Sequence, residues 1–357
     1  MHGSSHISSI RTLFPFYAFK RVLPISAVQN LPVCAWGLVY YEVADLCLGK
    51  PPLKSLSISA TIRDALSALK SSEDTHISIW NLICYLCKKD NIKNPSSALD
   101  SPVFIMLSRD PGIVRHVESA TSLVAAIDLI IMGAQNLVVA ITSRTKFNSK
   151  GMQNEQKHLS LANAGHGEFC WVTQEDVIRF LLSSITLFSP TATCSIESLG
   201  LIDYDYETVN YNVPASVALG SITKSLVDQT SVAVIDDDGI LIGEISPFTL
   251  AYCDESVAAA ITTLSAGDLM SYIDCGGPPE DMIKLVEMRL KERNLKAMLD
   301  EYFAYSTGSS LVAVMMQGVA HRVSYVWVIE EDCSVVGIVK FSGILEVFRE
   351  HLESIMN

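Results

Sequence analysis

Charged residues are scarce in this 357-residue sequence, at 18% against about 25% in an average soluble domain. Basic residues are the scarcer sign: 26 Lys and Arg stand against 39 Asp and Glu, and the net charge is −13. Nucleic acid is therefore not expected as a partner, because phosphate backbones attract basic surfaces. A small anionic ligand remains compatible with this charge, because one helix N-terminus can bind a phosphate.

A clean membrane-spanning run is also missing. Residues 22–41 and 302–320 carry no charge, but the first run contains two prolines and the second begins with a half rich in Ser, Thr and Gly. A spanning helix needs about 20 predominantly apolar residues, so we expect no membrane partner. The 49% of hydrophobic residues excludes a disordered chain and must serve a core or an interface.

Neither a cysteine framework nor a catalytic motif is found. Nine cysteines at scattered positions favour a reducing compartment and predict a cytoplasmic protein. The pair Cys84 and Cys87 lies in an apolar helical stretch, where packing competes with metal binding or redox chemistry as the explanation. Because His-Glu-x-x-His, Gly-x-Ser-x-Gly and phosphate-loop motifs are all absent, no enzyme activity is predicted.

Residues 1–39 are predicted to form an N-terminal extension. The first 41 residues contain no acid, three basic residues and several serines, which is typical of an organellar transit peptide. A disordered extension or a misassigned start explains the same composition. Import into a plastid or mitochondrion is therefore the alternative to a cytoplasmic location.

Internal repetition is the most informative feature of the sequence. Leu66, Ile127, Ile222 and Met315 each stand ten residues before a short apolar segment, and each has an apolar residue four positions earlier. This i, i+4 spacing predicts a helix with one buried stripe. The strands predicted after these helices are His76–Trp80, Leu137–Ile141, Val232–Ile235 and Tyr325–Ile329.

Two of the repeats continue in parallel beyond the strand. The acidic segments 236–239 and 330–333 are each followed, at the same spacing, by a glycine. Asp-Gly in the first segment predicts a hairpin, with a metal site at the three aspartates as the alternative. A closing helix is predicted for each repeat, at Pro247–Cys253 and Ser342–His351. The small sheet of such a unit needs a neighbouring repeat for stability.

This unit resembles the CBS domain, named after cystathionine β-synthase. The segments "QTSVAVIDDDGILIGEISPFTL" and "VSYVWVIEEDCSVVGIVKFSGIL" are similar to its hallmark. The order that includes "EVADLCLGKPPL", "FCWVTQEDVIRFLL" and "SAGDLMSYID" resembles the plant CBS-domain-containing proteins of the CBSX type, over about residues 42–352. The resemblance implies an α/β fold of tandem CBS repeats, with small three-stranded sheets and packed helices, paired into two Bateman modules.

The resemblance also implies the boundaries of these modules. The first module is expected at 40–190, with repeat one at 40–90 and repeat two at 100–188. The second is expected at 191–353, with repeat three at 195–254 and repeat four at 262–352. Two insertions are predicted, a loop at 144–167 and an amphipathic helix at 278–305. That helix either packs on its own module or binds a partner.

Repeat one departs most from the pattern. After Trp80 the chain runs directly into the helical segment 81–88, and no residues remain for the hairpin and the second strand. We interpret this as an internal deletion, which is either real or the product of a splice or gene-model variant. It puts the nucleotide cleft of the first module in doubt, because that cleft needs both repeats, and it predicts an exposed sheet edge.

Adenosine-containing ligands such as AMP, ATP and S-adenosylmethionine are what the resemblance implies. The family motif is a Ser or Thr followed three residues later by an Asp, and repeat two matches it with Thr173 and Asp176. By analogy, Val114, His116 and Val117 contact the base. A carboxylate can accept hydrogen bonds from ribose hydroxyls, but a capping box explains the same pair equally well.

The other repeats match the motif less well. Repeat three has Ser246 and then Thr249 in place of Asp, so only part of the ribose contact is expected. Repeat four has Lys340 and Gly343, and therefore neither functional group. We expect Lys340 to be solvated rather than bound to a phosphate.

Two functional hypotheses follow. The first is a regulatory protein that self-associates through its modules or binds a client protein, with weak adenosine-nucleotide sensing. The second is a ligand-independent scaffold, of which a γ-subunit-like component of a kinase complex is a narrower variant. A homo-oligomer and a client protein or kinase are the expected partners.

Overall fold

The computed structural model describes residues 40–53, 56–57, 59–70, 85–86, 88–106, 114–141, 168–189, 191–246, 256–274 and 304–356. Several predictions lie outside the described residues: the extension 1–39, the strand His76–Trp80, the pair Cys84 and Cys87, the insertion 144–167 and the closing helix Pro247–Cys253. The helical insertion 278–305 also lies outside, except for its last two residues. These form a strand rather than a helix.

The first repeat is described mainly through its helices. They are α1 (Val43–Leu46), α2 (Ile62–Lys70), α3 (Lys89–Lys93) and α4 (Pro95–Leu99), followed by a 3-10 turn at Val103–Met106. Ile62, at the start of α2, packs with Leu86 and Leu99 in a small cluster, to which Leu66 adds its partly buried side chain. The predicted i, i+4 stripe of Ile62 and Leu66 is therefore confirmed.

The second repeat contains a complete unit. Its elements are β1 (Val114–Val117), α5 (Leu123–Ile131), β2 (Asn136–Ile141), β3 (Glu168–Thr173) and α6 (Gln174–Ser183). Ser122 caps α5 by accepting a hydrogen bond from the Ala125 backbone N–H at 3.2 Å, which satisfies one of the free donors of the first turn. The predicted strand Leu137–Ile141 is confirmed as most of β2.

The third and fourth repeats have the same order of elements. Repeat three contains β4 (Glu207–Asn210), α7 (Leu219–Val227), β5 (Val232–Ile235) and β6 (Leu241–Ile245), followed by α8 (Ser256–Thr263) and α9 (Ala266–Asp274). Repeat four contains β7 (Ala304–Tyr305), α10 (Leu311–His321), β8 (Tyr325–Ile329), β9 (Val335–Lys340) and α11 (Phe341–Met356). The predicted strands Val232–Ile235 and Tyr325–Ile329 are confirmed.

In the part of the chain that the structure describes, each of the last three repeats forms one small sheet, and these sheets share one topology. The central strand pairs in parallel with the first strand and antiparallel with the third, in the orders β1-β2-β3, β4-β5-β6 and β7-β8-β9. A parallel pair needs a crossover, which α5, α7 or α10 supplies. The hairpins β5-β6 and β8-β9 agree with the sequence pattern. The first strand of each sheet was expected only from the resemblance to the CBS domain.

The turn between β5 and β6 is stabilised by its own aspartate. The Asp236 carboxylate accepts hydrogen bonds from the backbone N–H groups of Asp238 at 3.0 Å and Ile240 at 2.9 Å. Gly239 has φ +81°, and Cys333 adopts φ +72° in the matching turn of repeat four. Asp236 thus acts as a turn residue. Within the described ranges, no three His, Cys, Asp or Glu side chains lie close enough to hold a metal ion.

Four of the isolated bridges among the described residues occur at matching places in the two halves of the chain. They are Glu42–Ser122 and Thr61–Pro102 in the first half, and Ser195–Ser310 and Pro214–Ser265 in the second half. Ser122 and Ser310 cap α5 and α10 in the same way. The two halves therefore repeat one pattern of long-range contacts.

The positions of these bridges also allow the lengths of the first and third repeats to be compared. Thr61 and Pro102 are 41 residues apart, whereas Pro214 and Ser265 are 51 residues apart. The first repeat is thus ten residues shorter than the third between matching points. The difference falls within the segment where the sequence predicts a missing hairpin.

Repeat four packs against repeat two on one side and against repeat three on the other, in two separate hydrophobic clusters. On one side, α10 and α11 pack against α5 and α6 of repeat two in a shared cluster of fully buried side chains. On the other side, β8 packs on the sheet of repeat three, where Trp327 and Tyr325 contact Ala233 and Leu241. Strands covered on both faces explain why the chain is so apolar. Among the described residues, no helix has both the length and the apolar character needed to span a bilayer.

Gly337 is required by a close backbone contact, and its replacement gives a testable stability change. A Cβ atom there would lie 2.6 Å from Ile202 Cγ2 and 2.8 Å from the Asp203 carbonyl oxygen. That backbone is held in place by two hydrogen bonds of 2.8 and 2.9 Å between Asp203 and Ile338. We expect Gly337→Ala to lower the free energy of unfolding by about 1–3 kcal/mol, as measured by urea denaturation.

Gly220→Ala is the matched control, because no atom lies within 4 Å of a Cβ at this helical position. It should leave stability unchanged or raise it slightly, since alanine favours a helix more than glycine. Equal losses for the two variants would contradict the steric explanation.

Candidate functional site

Two of the predicted ligand residues of repeat two, Val114 and Thr173, lie at the same end of its sheet. Val114 is in register with Asn136, and Asn136 is in register with Thr173. Neighbouring strands are about 4.8 Å apart, so the ends of β1 and β3 lie within the span of one nucleoside. The first and third strands thus place Val114 and Thr173 on either side of Asn136, although they are distant in sequence.

Alternation along the strands separates two faces of this sheet. Leu137, Val139, Cys170 and Val172 face the core and are fully buried. The opposite face, which we call the outer face, carries Val114, His116, Phe169 and Thr173. Val114 and Phe169 are 37% and 38% exposed, and the rings of His116 and Phe169 meet edge to face at 6.2 Å. The aromatic pair and Val114 therefore lie on the same face of the sheet as Thr173, with Phe169 four positions before Thr173 in β3.

Val117 is also a predicted site residue, but it is placed differently. It stands one position beyond His116 in β1 and is therefore on the core face, where it is partly buried and packs against the shared core. Its side chain does not face the outer surface. The alternation of a strand accounts for this difference.

Thr173 and Asp176 form the predicted capping box at the start of α6. Asp176 Oδ2 accepts hydrogen bonds from the Thr173 backbone N–H at 2.7 Å and from Thr173 Oγ1 at 2.9 Å. The Asp176 backbone N–H is 3.3 Å from Thr173 Oγ1. The capping interpretation is confirmed, because the orphan donors of the first turn are satisfied in this way.

Lys50 is the site residue that sequence reasoning missed. Its ammonium group forms an ion pair with Asp176 Oδ2 and donates a second hydrogen bond to the Trp171 carbonyl oxygen at 2.7 Å. The two charged side chains are only 24% and 21% exposed. Lys50 follows α1 by four residues and lies 126 positions from Asp176, so no local pattern could have revealed the pair.

Two thiols lie beside this ion pair. The Cys47 and Cys170 side chains hydrogen-bond to each other, and this bond together with burial raises the pKa of Cys47. The same bond lowers the pKa of Cys170, while burial opposes that shift. The Lys50 ammonium lowers the pKa of both thiols and the Asp176 carboxylate raises it. The four side chains therefore form one electrostatic cluster.

A second Thr-x-x-Asp capping box provides an internal comparison. Thr61 and Asp64 at the start of α2 make the same hydrogen bonds, at 2.8–3.1 Å. These bonds lower the pKa of Asp64. The capping geometry alone thus does not define a ligand site. The pair in repeat two differs in its partner Lys50, which forms an ion pair with Asp176.

The remaining motif residues are used internally or lie outside the described residues. Ser246 is 2% exposed and hydrogen-bonds with Tyr325 of repeat four. Thr249 lies outside the described residues. Lys340 was expected to be solvated, but it forms an ion pair with Asp203 at 2.8 Å and is 20% exposed. That prediction was wrong because a distant acid lies within reach of the ammonium group.

A polar cluster at the contact between repeats three and four was also missed. The Glu244 carboxylate accepts hydrogen bonds from Ser231 Oγ at 2.6 Å, Trp327 Nε1 at 2.8 Å and Tyr325 Oη at 2.8 Å. Burial raises the pKa of Glu244 and outweighs these three hydrogen bonds, which lower it. Glu244 thus links the two sheets through donors that are themselves almost fully buried.

Comparison with known proteins identifies the family. No family model matches the sequence. The CBS domain-containing protein CBSX5 of Arabidopsis thaliana is 40% identical over 393 aligned positions, which cover 90% of this chain and all of that protein. The chain belongs to the CBS domain-containing proteins. The alignment is longer than the 357 residues of this CBS protein. It therefore contains gaps in the sequence of this chain.

Two further matches agree with this assignment. The CBS domain-containing protein CBSX6 of Arabidopsis thaliana is 24% identical, over 86% of this chain and 93% of that protein. The crystal structure of protein MJ1225 from Methanocaldococcus jannaschii has a TM-score of 0.56 at 14% identity and covers 86% of this chain and all of that chain. The second match concerns the fold alone. The fold class of tandem CBS repeats is thus confirmed.

Proposed function

We propose that this CBS protein is a non-enzymatic regulator that binds an adenosine-containing ligand, such as AMP, ATP or S-adenosylmethionine, in its second repeat. The observation that carries the proposal is the register that aligns Val114, Asn136 and Thr173 across the sheet. It puts the exposed Val114 at the same end of the sheet as a hydroxyl and a carboxylate, which suit a ribose, while the His116–Phe169 pair, which suits a base, lies further along the same face. We propose no cofactor for this protein other than such a ligand.

Regulation would act through assembly. A ligand shifts an equilibrium only when it binds one arrangement better than another. The shared core of repeats two and four would couple the proposed site to repeat four, so bound ligand would favour one geometry of the modules. We propose that this geometry controls self-association or the capture of a client protein, of which a kinase is one kind.

A ligand-independent scaffold is the second candidate, and one observation favours it. Asp176 Oδ2 already accepts hydrogen bonds from Thr173 and Lys50, so the carboxylate is well satisfied without a ribose. In that case the repeats would serve as packing units only, and partner capture would not depend on nucleotide.

Replacing Asp176 distinguishes these functions. If the adenosine site is used, Asp176→Ala should weaken the binding of AMP, ATP or S-adenosylmethionine by roughly 10-fold or more, the loss expected for one hydrogen bond to a charged group. Isothermal titration calorimetry of the full chain measures this change. Asp64→Ala is the matched control, because it removes the same type of cap away from the outer face.

The outcomes separate the two candidates. Ligand binding by the wild-type chain that Asp176→Ala weakens and Asp64→Ala does not supports the sensing function. Absence of heat and of a thermal shift at millimolar concentrations of all three ligands would overturn it and favour the scaffold. Sedimentation velocity with and without ligand then tests whether binding changes the assembly.

A further inference from the structure

The two thiols beside Lys50 belong to segments that are far apart in the chain. Cys47 caps the C-terminal end of α1 in repeat one, and Cys170 lies in β3 of repeat two, 123 positions further on. Their side chains hydrogen-bond to each other and pack in the same core cluster. The fold therefore brings two thiols from different repeats into direct contact, and the proposed adenosine site uses neither of them.

The chain that follows α1 is held along β3 by two contacts. The Lys50 ammonium donates a hydrogen bond to the Trp171 carbonyl oxygen at 2.7 Å, and the Leu53 backbone N–H donates one to the Phe169 carbonyl oxygen at 2.7 Å. These two acceptors belong to the residues on either side of Cys170. A disulfide needs two side chains that point toward each other from nearby segments of backbone, and this arrangement supplies them.

Burial and charge decide how an oxidant would meet the pair. Cys170 is fully buried, whereas Cys47 is half-buried, so solvent reaches the two sulfurs through Cys47. The hydrogen bond between the thiols has the largest effect on the pKa of each, and Lys50 lowers both pKa values more than Asp176 raises them. A neighbouring cation favours the thiolate, which is the reactive form of cysteine.

We infer that Cys47 and Cys170 form a modification site at which a peroxide produces a reversible disulfide between repeats one and two. Loss of one proton leaves a single negative charge on the pair, and movement of the remaining proton along the hydrogen bond places that charge on Cys47. The Cys47 thiolate then attacks one oxygen of hydrogen peroxide. The O–O bond breaks, a hydroxide leaves, and Cys47 becomes a sulfenic acid.

The second step closes the disulfide. The Cys170 sulfur loses the remaining proton and attacks the sulfenic sulfur of Cys47, so that the S–S bond forms, the S–O bond breaks and a second hydroxide leaves. The two thiol protons convert the two hydroxides to water. The two thiols have then lost two electrons, and the peroxide has gained them. A reducing thiol reverses the reaction by disulfide exchange.

The disulfide should stabilise the chain in a measurable way. It closes a loop between residues that are 123 positions apart, and such a cross-link restricts the unfolded chain more than the folded one. We expect the midpoint of thermal unfolding to rise by about 4–8 °C on oxidation. This expectation does not depend on the proposed adenosine site, because no ligand takes part.

Peptide mapping of the full chain tests the modification site. The reduced chain is treated with hydrogen peroxide, blocked with N-ethylmaleimide in urea, and digested with trypsin and Glu-C, which places Cys34 and Cys47 in different peptides. We expect the peptides of Cys47 and Cys170 to be joined, with a mass two hydrogens below their sum. Dithiothreitol should separate them and reverse the rise in the unfolding midpoint.

Two variants complete the test. Cys47→Ser should abolish both the cross-link and the rise in the unfolding midpoint. Cys194→Ser removes another half-buried cysteine and should leave both unchanged. The mapping of the wild-type chain decides the question even if Cys47→Ser folds poorly, and circular dichroism shows whether it does.

The remaining outcomes have separate meanings. If both thiols of the oxidised wild-type chain still carry N-ethylmaleimide, or if either is joined to a different cysteine, the inference is overturned. If the Cys47–Cys170 cross-link forms without a change in the unfolding midpoint, the modification site is supported and its stabilising effect is overturned. Ligand titrations of the reduced chain test the proposed function independently of these results.

Discussion

Glu244→Leu should lower the free energy of unfolding by about 2–4 kcal/mol, which makes it one of the most damaging single replacements in the chain. The carboxylate accepts hydrogen bonds from Ser231, Tyr325 and Trp327, and all three donors are at most 3% exposed. A leucine side chain leaves these donors without an acceptor. An unsatisfied buried donor costs about 1–3 kcal/mol, and the recovered desolvation of the carboxylate offsets part of the sum.

The loss should appear at the contact between repeats three and four. Tyr325 and Trp327 come from β8 and lie 81 and 83 positions from Glu244, so the three bonds join two repeats rather than one hairpin. Urea denaturation followed by tryptophan fluorescence includes a signal from this region, because Trp327, one of four tryptophans in the chain, is fully buried there. Glu244→Gln, which retains one acceptor oxygen, should lose less stability than Glu244→Leu.

Glu350→Ala is the control for this prediction. Glu350 is an exposed glutamate on α11 of repeat four, and its replacement should change stability by no more than about 0.5 kcal/mol. A Glu244→Leu variant as stable as this control would show that the polar cluster does not hold the two sheets together.

Local patterns in the sequence predicted the structure well where both partners are close in the chain. Thr173 and Asp176 are three positions apart, and their hydrogen bonds form as the capping motif predicts. The three described strands with apolar runs were also predicted, because burial on both faces requires such runs. These features depend on short-range geometry and on burial, both of which a single sequence records.

Features that depend on distant partners were not accessible in this way. β1, β4 and β7 are short and partly polar, and they are strands because they pair with a central strand. Glu244 resembles a solvent-facing residue in an alternating strand until Tyr325 and Trp327 are brought to it. Lys50 gave no signal, because its partner Asp176 belongs to another repeat. The structural role of each of these residues is determined by a covering sheet or by a distant charged partner. The periodicity of the sequence does not identify that partner.

Phe348→Ala should also cost about 3–5 kcal/mol, as expected for the removal of a fully buried phenylalanine. Its ring meets that of Phe188 edge to face with centroids 4.4 Å apart, and neither side chain is exposed. Phe348 lies on α11 of repeat four, and Phe188 follows α6 of repeat two. The variant therefore opens a cavity in the core that the two halves of the chain share.

This shared core leads to a second expectation for the same variant. Because repeats two and four bury one continuous cluster, and Arg349 adds an ion pair to Asp128 at 2.7 Å, the wild-type chain should unfold in a single transition. Phe348→Ala should broaden the transition or split it in two, as measured by differential scanning calorimetry.

Tyr204→Ala provides the comparison, because this ring is 70% exposed and its loss should change stability by no more than about 0.5 kcal/mol. If Phe348→Ala behaved like Tyr204→Ala, the packing of α11 on repeat two would not contribute to stability in solution. The proposed site on repeat two would then lack a rigid connection to repeat four. A ligand bound beside Thr173 could not influence the second half of the chain through the core, so the regulatory proposal depends on this contact as well as on Asp176.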